Sequence, residues 1–319
     1  MCRKFTLFYI LALCCMLLQG CKEVSYNIDI SQNPQRTDIA CLYDAVVIIN
    51  EDKLSICMPE DIEEQRDYLY LTWWKDIVSI YSCDGNCLTG IDKSGKPHFW
   101  GECGNYCYEL ADDNKTYQKI IASNNYAAFL DTDGIVDVVY SRYNGFFESE
   151  KAKEQYKEWN DIVDIAMNAD CVVVLGEDGK VNYLAVSDIG KPYDTYYQGI
   201  QTWNNIMNVE LTANGYIIGL DCDGNIKISN GSDERNGFNL RNALKWNDIK
   251  KISAEGDILV GLDNEGKVYA CGDIDQETII SIETWRGITD ISAGPCYIVG
   301  IENNGNIHII NIKKDSLIY

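Results

Sequence analysis

The sequence predicts an all-β protein built from seven copies of one unit. The first observation is a glycine that recurs about every 42 residues, at the end of Asp/Glu-x-x-Gly or a near variant. The copies are Ile91–Gly95, Leu130–Gly134, Leu175–Gly179, Leu220–Gly224, Leu262–Gly266 and Ile301–Gly305, preceded by a degenerate Ile49–Asp52. Self-similarity at this period is typical of propellers and solenoids.

The second observation is alternation of apolar and polar residues around each of these glycines. In one unit Val181 and Tyr183 flank the polar Asn182, and an apolar run precedes the turn. Period-two alternation is typical of half-buried strands, so the turn joins two strands as a hairpin, with Gly taking the positive φ. A further strand lies upstream, as in Asp161–Ile165.

The third observation is a tryptophan that opens five units, ahead of this upstream strand. These residues are Trp74, Trp159, Trp203, Trp246 and Trp285. A residue that recurs at one repeat position indicates packing between units. Three to four short antiparallel strands per unit cannot bury both faces alone, whereas a closed ring of units can. The sequence therefore predicts a seven-bladed β-propeller over residues 36–319, and the alternation in Val24–Ile30 predicts a strand that completes the last blade beside Ile309.

The last two units resemble the repeat of the regulator of chromosome condensation family. The resemblance is carried by Trp285–Gly294, which reads Trp-x-x-Ile-x-x-Ile-Ser-Ala-Gly, and by Val299-Gly-Ile before the Gly305 turn. Further matches are Ile252-Ser-Ala, Val260-Gly-Leu, Cys271-Gly272 and Phe99-Trp-Gly101. The resemblance covers roughly residues 36 to 312 and implies a seven-bladed propeller. Members of that family include an exchange factor for a small GTPase and a secreted inhibitor of β-lactamases, which implies binding more than chemistry.

The N-terminus resembles the signal peptide of bacterial lipoproteins. Arg3 and Lys4 precede the apolar stretch from Phe5 to Leu18, and Leu18-Gln-Gly-Cys21 closes it. The alternative is an uncleaved signal anchor, but this stretch is too short to span a bilayer comfortably. We predict a signal peptide over residues 1–20, a lipidated tether over 21–35 and acylation of Cys21. The expected location is the cell envelope, periplasmic or surface-exposed.

The acidic balance of the chain excludes one class of partner. The sequence has 49 acidic and 27 basic residues, a net charge of −22. Such a surface repels phosphate backbones, so nucleic-acid binding is disfavoured. We expect a monomer without a cofactor.

Four cysteines belong to the second unit. Cys83 and Cys87 flank its first hairpin, while Cys103 and Cys107 follow its third strand. Strand parity predicts that both pairs lie near one rim. Two disulfides, free thiols and a zinc site with four thiolate ligands are the alternatives, although the C-x3-C spacing departs from the usual C-x2-C.

Cys41 and Cys296 occupy related positions in the first and last units. They are neighbours only if the ring closes. A disulfide between them would join the two ends of the ring and enclose a long loop.

The carboxylates offer one weak metal candidate and no catalytic constellation. Asp131, Asp133 and Asp137 resemble the start of a calcium loop, since alternate carboxylates before a glycine can surround a hard cation. The pattern falls on the turn of the repeat, however, so a plain hairpin is preferred. His98 and His308 share one repeat position, which indicates strand decoration, and no nucleophile–base or metalloprotease motif occurs.

Aromatic residues are concentrated in the segments between units. The candidates for partner-binding anchors are Tyr143, Phe146, Phe147, Tyr193, Tyr196 and Tyr197. The alternative is that these rings cover the blade ends.

Together the observations predict a membrane-tethered lipoprotein that presents a non-catalytic propeller to an unknown protein. A carbohydrate-binding or carbohydrate-cleaving propeller is the alternative.

Overall fold

A computed structural model describes residues 23–27, 37–50, 53–57, 68–83, 85–103, 107–108, 111–112, 114–123, 126–140, 156–168, 171–185, 197, 199–229 and 239–312. These residues form seven antiparallel sheets arranged as a seven-bladed β-propeller. The predicted fold class is therefore confirmed.

Twenty-two strands make up the sheets of this described part. In chain order they are β1 (Glu23–Asn27), β2 (Thr37–Cys41), β3 (Val46–Asn50), β4 (Lys53–Cys57), β5 (Ile77–Cys83), β6 (Cys87–Asp92), β7 (Pro97–Gly101), β8 (Tyr117–Ala122), β9 (Tyr126–Asp131), β10 (Val136–Tyr140), β11 (Ile162–Met167), β12 (Cys171–Gly176), β13 (Val181–Ala185), β14 (Ile206–Leu211), β15 (Ile217–Asp221), β16 (Ile226–Ile228), β17 (Ile249–Glu255), β18 (Ile258–Asp263), β19 (Val268–Gly272), β20 (Ile288–Ala293), β21 (Tyr297–Glu302) and β22 (Asn306–Asn311). Blade 1 is β2–β4, and each following blade takes the next three strands, up to β20–β22 in blade 7.

Short helices precede the first strand of several blades. The 3₁₀ helices are Tyr68–Trp73, Ile200–Thr202 and Asn239–Lys245, ahead of blades 2, 5 and 6. Helix α1 (Gln276–Ile282) precedes blade 7, and its first turn is capped by Asp275, whose side chain accepts the Thr278 N–H at 2.8 Å. None of the helices in the described ranges has the length and apolar character needed to cross a membrane.

The first strand of each blade is the inner strand, and these strands form a closed circle. Each contacts the inner strand of the next blade, and β20 of blade 7 contacts β2 of blade 1. Blade 7 gains a fourth strand because β1 pairs antiparallel with β22, with Val24 opposite Ile309. This is the N-terminal strand that the alternation after residue 23 predicted. One blade therefore contains both ends of the described chain.

The hydrophobic core consists of seven apolar clusters, each shared by two neighbouring blades. The cluster between blades 4 and 5, for example, packs Val173 and Leu175 of β12 against Val209 and Ile217. The cluster that closes the ring packs Ile48 of blade 1 against blade 7. Because the clusters lie between sheets rather than within them, each blade depends on both neighbours.

The recurrent turn glycine connects one blade to the next. The carbonyl oxygen of Gly179 accepts the N–H of Ile206, the first residue of the next inner strand, at 3.1 Å, and Gly95, Gly134, Gly224 and Gly266 make equivalent contacts at 2.9–3.1 Å. At Gly224, φ is +79° and an added Cβ would lie 2.9 Å from the Ile249 nitrogen. A side chain at this position is therefore opposed both by the backbone conformation and by the neighbouring blade.

The acid of the same motif caps its own turn. In four blades the Oδ1 atom of this aspartate accepts the backbone N–H groups two and four residues later at 2.8–3.1 Å; these residues are Asp92, Asp131, Asp221 and Asp263. Such side-chain-to-backbone bonds favour a tight turn over continued strand pairing. The motif is thus explained by local structure.

The repeated tryptophan packs on a glycine in the middle strand of its own blade. A Cβ added at Gly90, Gly219, Gly261 or Gly300 would lie 2.7–3.0 Å from the indole of Trp74, Trp203, Trp246 or Trp285. All four indoles also belong to the apolar clusters between blades. The predicted role of this tryptophan in packing between units is therefore confirmed. The glycine at the centre of the Val-Gly-Ile motif leaves room for the indole to pack against the strand backbone.

Substitution of the turn glycine should destabilise the protein beyond the effect of backbone strain. We expect Gly224→Ala to lower the free energy of unfolding by about 2–4 kcal/mol, since strain of about 1–2 kcal/mol adds to an overpacked blade contact. Gly256→Ala is the matched control, because Gly256 also has a positive φ but no atom within 4 Å of the added Cβ. Denaturant unfolding of both variants measures the difference. Equal destabilisation would show that the interblade contact contributes nothing.

Candidate functional site: the central channel

Every inner strand carries a polar residue at the same register position, opposite the apolar residue that opens the turn motif. We call these seven residues the polar ring: Asp38, Ser79, Lys119, Asp164, Asn208, Lys251 and Asp290. Each precedes a buried Ile or Val. Because the inner strands surround the axis, the polar ring surrounds the central channel.

Asp164 connects three blades through this ring. Its Oδ1 atom lies 2.6 Å from Lys119 Nζ of blade 3, and its Oδ2 atom accepts from Asn208 Nδ2 of blade 5 at 2.9 Å. The backbone N–H groups of Ile165 and Val209 also donate to it, at 2.9 and 3.4 Å. Burial lowers the pKa of Lys119, but Asp164 and other nearby acids outweigh burial and raise it above its ordinary value. The lysine is therefore held as a cation.

The other two acids of the ring connect the remaining blades. Asp38 accepts the backbone N–H of Ile39 at 3.0 Å and that of Ile80, in blade 2, at 2.9 Å. Lys251 of blade 6 pairs with Asp290 of blade 7. Burial raises the pKa of Asp38 to about 6, although the Lys251 charge opposes this shift. Within the described ring, each acid is thus matched by a lysine or by backbone donors.

A cavity of about 260 Å³ lies on the axis, lined by inner strands of six blades. Its charged and hydroxyl-bearing lining is Asp38, Lys119, Lys250, Lys251, Tyr81, Ser82, Glu210, Ser253, Glu255 and Ser292. Glu210 lies two residues beyond the polar ring in β14. Burial raises the pKa of Glu210 to about 8, with Lys119 opposing the shift. At neutral pH its carboxyl group can donate a hydrogen bond, and a nearby cation would convert it to an acceptor.

The candidate calcium residues lie on one ordinary turn. Asp131 caps that turn, Asp133 is exposed, and Asp137 lies in β10. Lys115 Nζ lies 3.0 Å from Asp131 Oδ2 and 2.8 Å from Asp137 Oδ2, and its hydrogen bond to Asp137 raises the pKa of Lys115. A lysine ammonium therefore bridges these two carboxylates.

Other blades place a complementary side chain directly at the Asp137 position. His98 lies 3.2 Å from Asp92, Tyr269 donates to Asp263 at 3.1 Å, and His308 lies 2.7 Å from Glu302. The two histidines therefore pair with turn acids of their own blades. Among the described residues, no group of three or more His, Cys, Asp or Glu side chains is arranged to hold a metal ion.

The structure brings three of the four blade 2 cysteines together. Cys87, Cys103 and Cys107 are fully buried in the apolar cluster between blades 2 and 3. The Cys103 thiol donates to the Trp100 carbonyl at 3.5 Å. The backbone of Cys83 pairs with that of Cys87, but its side chain lies outside the described part. The choice between thiols and disulfides here stays a prediction.

Cys41 and Cys296 also share one cluster, the one that closes the ring between blades 7 and 1. The Cys41 thiol donates to Ser292 Oγ at 3.6 Å, and burial raises the pKa of Cys41 to about 12. A disulfide between the two residues stays a prediction, and their predicted proximity agrees with the closed ring.

Of the six candidate anchor aromatics, the structure describes Tyr197. Its ring is 7% exposed and packs edge to face on Tyr183 at 4.3 Å between centroids. Tyr197 therefore covers a blade end, as the alternative interpretation held, and is not a surface anchor. Tyr143, Phe146, Phe147, Tyr193 and Tyr196 lie outside the described residues, as does Cys21.

Sequence reasoning missed Trp73, one member of an exposed aromatic pair, and the polar ring. Trp73 is 69% exposed, Tyr70 is 51% exposed, and their rings pack edge to face at 5.0 Å. The signal for Trp73 was present, because it precedes the repeat tryptophan Trp74, where other units have Glu158, Thr202, Lys245 or Thr284. The signal for the ring was the polar residue before the last Ile or Val of each inner-strand motif.

No family model and no curated protein matches the chain. Solved structures do match it. Human WBSCR16 is 11% identical with a TM-score of 0.53, and the match covers 88% of this chain and 87% of that one. Prp20p from Saccharomyces cerevisiae is 12% identical with a TM-score of 0.51, covering 92% and 81%. The CRINKLY WD40 ectodomain of the Arabidopsis thaliana receptor kinase ACR4 is 10% identical with a TM-score of 0.50, covering 85% and 94%. These similarities show the fold, and Prp20 is yeast RCC1, so the propeller implied by the family resemblance is confirmed.

Removal of Asp164 should destabilise the protein strongly. We expect Asp164→Ala to lower the free energy of unfolding by about 3–5 kcal/mol, because it leaves Lys119 as a buried charge without its partner. Asp178→Ala is the matched control, since it removes an exposed aspartate that pairs with Lys180 Nζ at 2.8 Å and accepts the Lys180 backbone N–H at 3.0 Å, and it should lower the free energy of unfolding by about 1 kcal/mol or less. Denaturant unfolding compares the two variants. A small effect of Asp164→Ala would mean that water replaces the carboxylate in the channel.

Proposed function

We propose that this chain is an exported bacterial lipoprotein that presents its propeller, outside the cytoplasm, for binding another protein. The tether is supported by the basic, apolar and cysteine-terminated pattern of residues 1–21. Two acyl chains on Cys21 would give a stable anchor, since each buried methylene contributes about 0.8 kcal/mol. The propeller would then stand at the membrane surface, periplasmic or exposed to the medium.

The single observation that carries the binding role is the exposed pair of Trp73 and Tyr70. A tryptophan with most of its surface in water is unfavourable unless another molecule covers it. Four other units carry polar residues at the Trp73 position, so the fold itself does not require an aromatic ring there. Tyr and Trp are enriched among the residues that dominate binding energy at interfaces.

The charge of the chain indicates the chemistry of the partner. With a net charge of −22, the chain attracts basic surfaces and repels acidic ones. The acids of the polar ring are matched internally, which supports a structural role for them rather than catalysis. Prp20p, whose fold is similar, is described as binding Gsp1p and histones; this precedent supports protein binding by such a propeller and names no partner for this chain.

A carbohydrate ligand is the second candidate, because the same aromatic pair favours it. An exposed indole can cover the apolar face of a sugar ring as well as an apolar protein side chain. The two candidates therefore share a surface and differ in the chemistry of the ligand.

Substitution of Cys21 should release the protein from the membrane. We expect cells that express Cys21→Ser to incorporate no labelled fatty acid into the chain and to lose it from the membrane fraction, since the acylated thiol is gone. Cys15→Ser is the matched control, because it changes a cysteine inside the predicted signal peptide. Fatty-acid labelling of Cys21→Ser equal to that of the wild type would contradict the lipoprotein assignment.

Binding through the aromatic pair should be detectable in intact cells. We expect a photo-crosslinker placed at residue 70 to join the chain to a discrete envelope protein, and Trp73→Ala to reduce that adduct at least about tenfold, as for an interface hot spot. Leu244→Ala is the control, since Leu244 lies at another blade and its exposed fraction equals that of Tyr70. A Trp73-dependent signal on a glycan array without any protein adduct would favour the carbohydrate ligand. An adduct that is insensitive to Trp73 would contradict this use of the surface.

A further inference from the structure

The axial cavity holds carboxyl groups that lie outside its two lysine–aspartate pairs. Lys119 is paired with Asp164 and Lys251 with Asp290, so both ring lysines serve the polar ring. Lys250, which also contributes to the lining, is exposed. The cavity is therefore left with the carboxyl groups of Asp38, Glu210 and Glu255.

These three acids differ in how the protein satisfies them. Asp38 accepts two backbone N–H groups, and Glu255 accepts the backbone N–H of Gly256 at 3.3 Å. The Glu210 carboxyl group makes no hydrogen bond to any residue in the described ranges. Among these three acids, Glu210 is thus the one whose carboxyl group has no hydrogen-bond donor within the described residues.

The other blades show that the fold does not need an acid at this position. Two residues beyond the polar ring, they carry uncharged residues: Ala40, Tyr81, Ile121, Ala166, Ser253 and Ser292. Burial disfavours the ionised form of Glu210 and raises its pKa to about 8; Lys119 and Lys251 oppose the shift, while Asp164 and Glu255 add to it. A buried carboxyl group whose pKa is raised in this way is typical of a binding or catalytic position.

A second polar group belongs to a residue of the cavity lining. The Ser82 hydroxyl oxygen is buried and has no hydrogen-bond partner within the described structure, although Ser82 belongs to the cavity lining. Buried hydroxyl groups in native proteins are almost always hydrogen-bonded. A ligand toward which the Ser82 side chain turns would supply the missing partner.

We propose that this cavity binds an alkylammonium or guanidinium group through the Glu210 carboxylate, with Ser82 as a further polar contact. The volume of about 260 Å³ lies below the range of about 300–1,000 Å³ of pockets for drug-sized ligands, so it suits one side chain or a small amine. The group is carried by a basic side chain of the protein partner or by a free amine. Binding of a partner side chain rests on the proposed function, whereas binding of a free amine does not.

Binding of n-butylammonium to the full chain in detergent tests this site, with n-butanol as the uncharged probe. We expect saturable binding of the ammonium by calorimetry, none of the alcohol, and at least a tenfold loss of affinity in Glu210→Gln. Ser82→Ala should weaken binding by a smaller factor. Glu265→Gln is the matched control, because Glu265 is exposed on a turn outside the cavity.

The affinity should rise with pH. A cation binds the ionised form of Glu210, so affinity should increase on the order of tenfold per pH unit below the pKa of this group and level off above pH 8. The probe remains charged throughout, since alkylammonium groups titrate near pH 10. In Glu210→Gln this dependence should vanish.

The outcomes separate this inference from the proposed function. Absence of ammonium binding, or equal binding by Glu210→Gln, overturns the site while leaving crosslinking at residue 70 unaffected. Glu210-dependent ammonium binding with unchanged crosslinking in Glu210→Gln identifies a free amine as the ligand. Loss of both identifies a basic side chain of the partner, provided that Glu210→Gln unfolds at least as cooperatively as the wild type.

Discussion

Contact between neighbouring blades, continued around the whole ring, is the constraint on which the rest of the structure depends. Small antiparallel sheets of this size are marginal alone, because each would expose two apolar faces to water. Here every cluster of the core is shared by two blades, and the cluster containing Ile48 and Val299 closes the circle. The carbonyl groups of five turn glycines, such as Gly179, add a hydrogen bond across the same kind of boundary. The sheets are therefore stable as a set.

Closing the ring brings seven inner strands together around one axis, and the charges there must be matched across blades. Asp164 joins blades 3, 4 and 5, the pair of Lys251 and Asp290 joins blades 6 and 7, and Asp38 joins blades 1 and 2. Each blade thus takes part in one of three polar links. Breaking such a link leaves a charge in a confined channel, which is costlier than losing an exposed ion pair.

The repeat made most of the fold predictable, and departures from the repeat were harder to interpret. The spacing of glycines such as Gly224 predicted the blades, because a positive φ recurs wherever the hairpin does. The polar residue of the inner strand was visible in sequence, but its pairing, as between Lys119 and Asp164, depends on which blades become neighbours. The sequence left two interpretations open for Tyr197, because the segments between blades follow no repeat and burial there is set by tertiary packing alone. The three carboxylates around Asp131 resembled a cation site because a sequence does not show that Lys115 lies between two of them.

In a repeat protein, the six other copies of a unit act as an internal reference for what the fold requires. Residues that recur from blade to blade, such as the turn glycine of six blades, are explained by the ring itself. Trp73 and Glu210 are different. Trp73 exposes an apolar indole to water, and burial disfavours the ionised form of Glu210. Other blades have residues without these costs at the same positions. Selection for stability alone would not retain either side chain. Binding of a ligand would compensate both, an apolar surface covering the indole and a cation meeting the carboxylate.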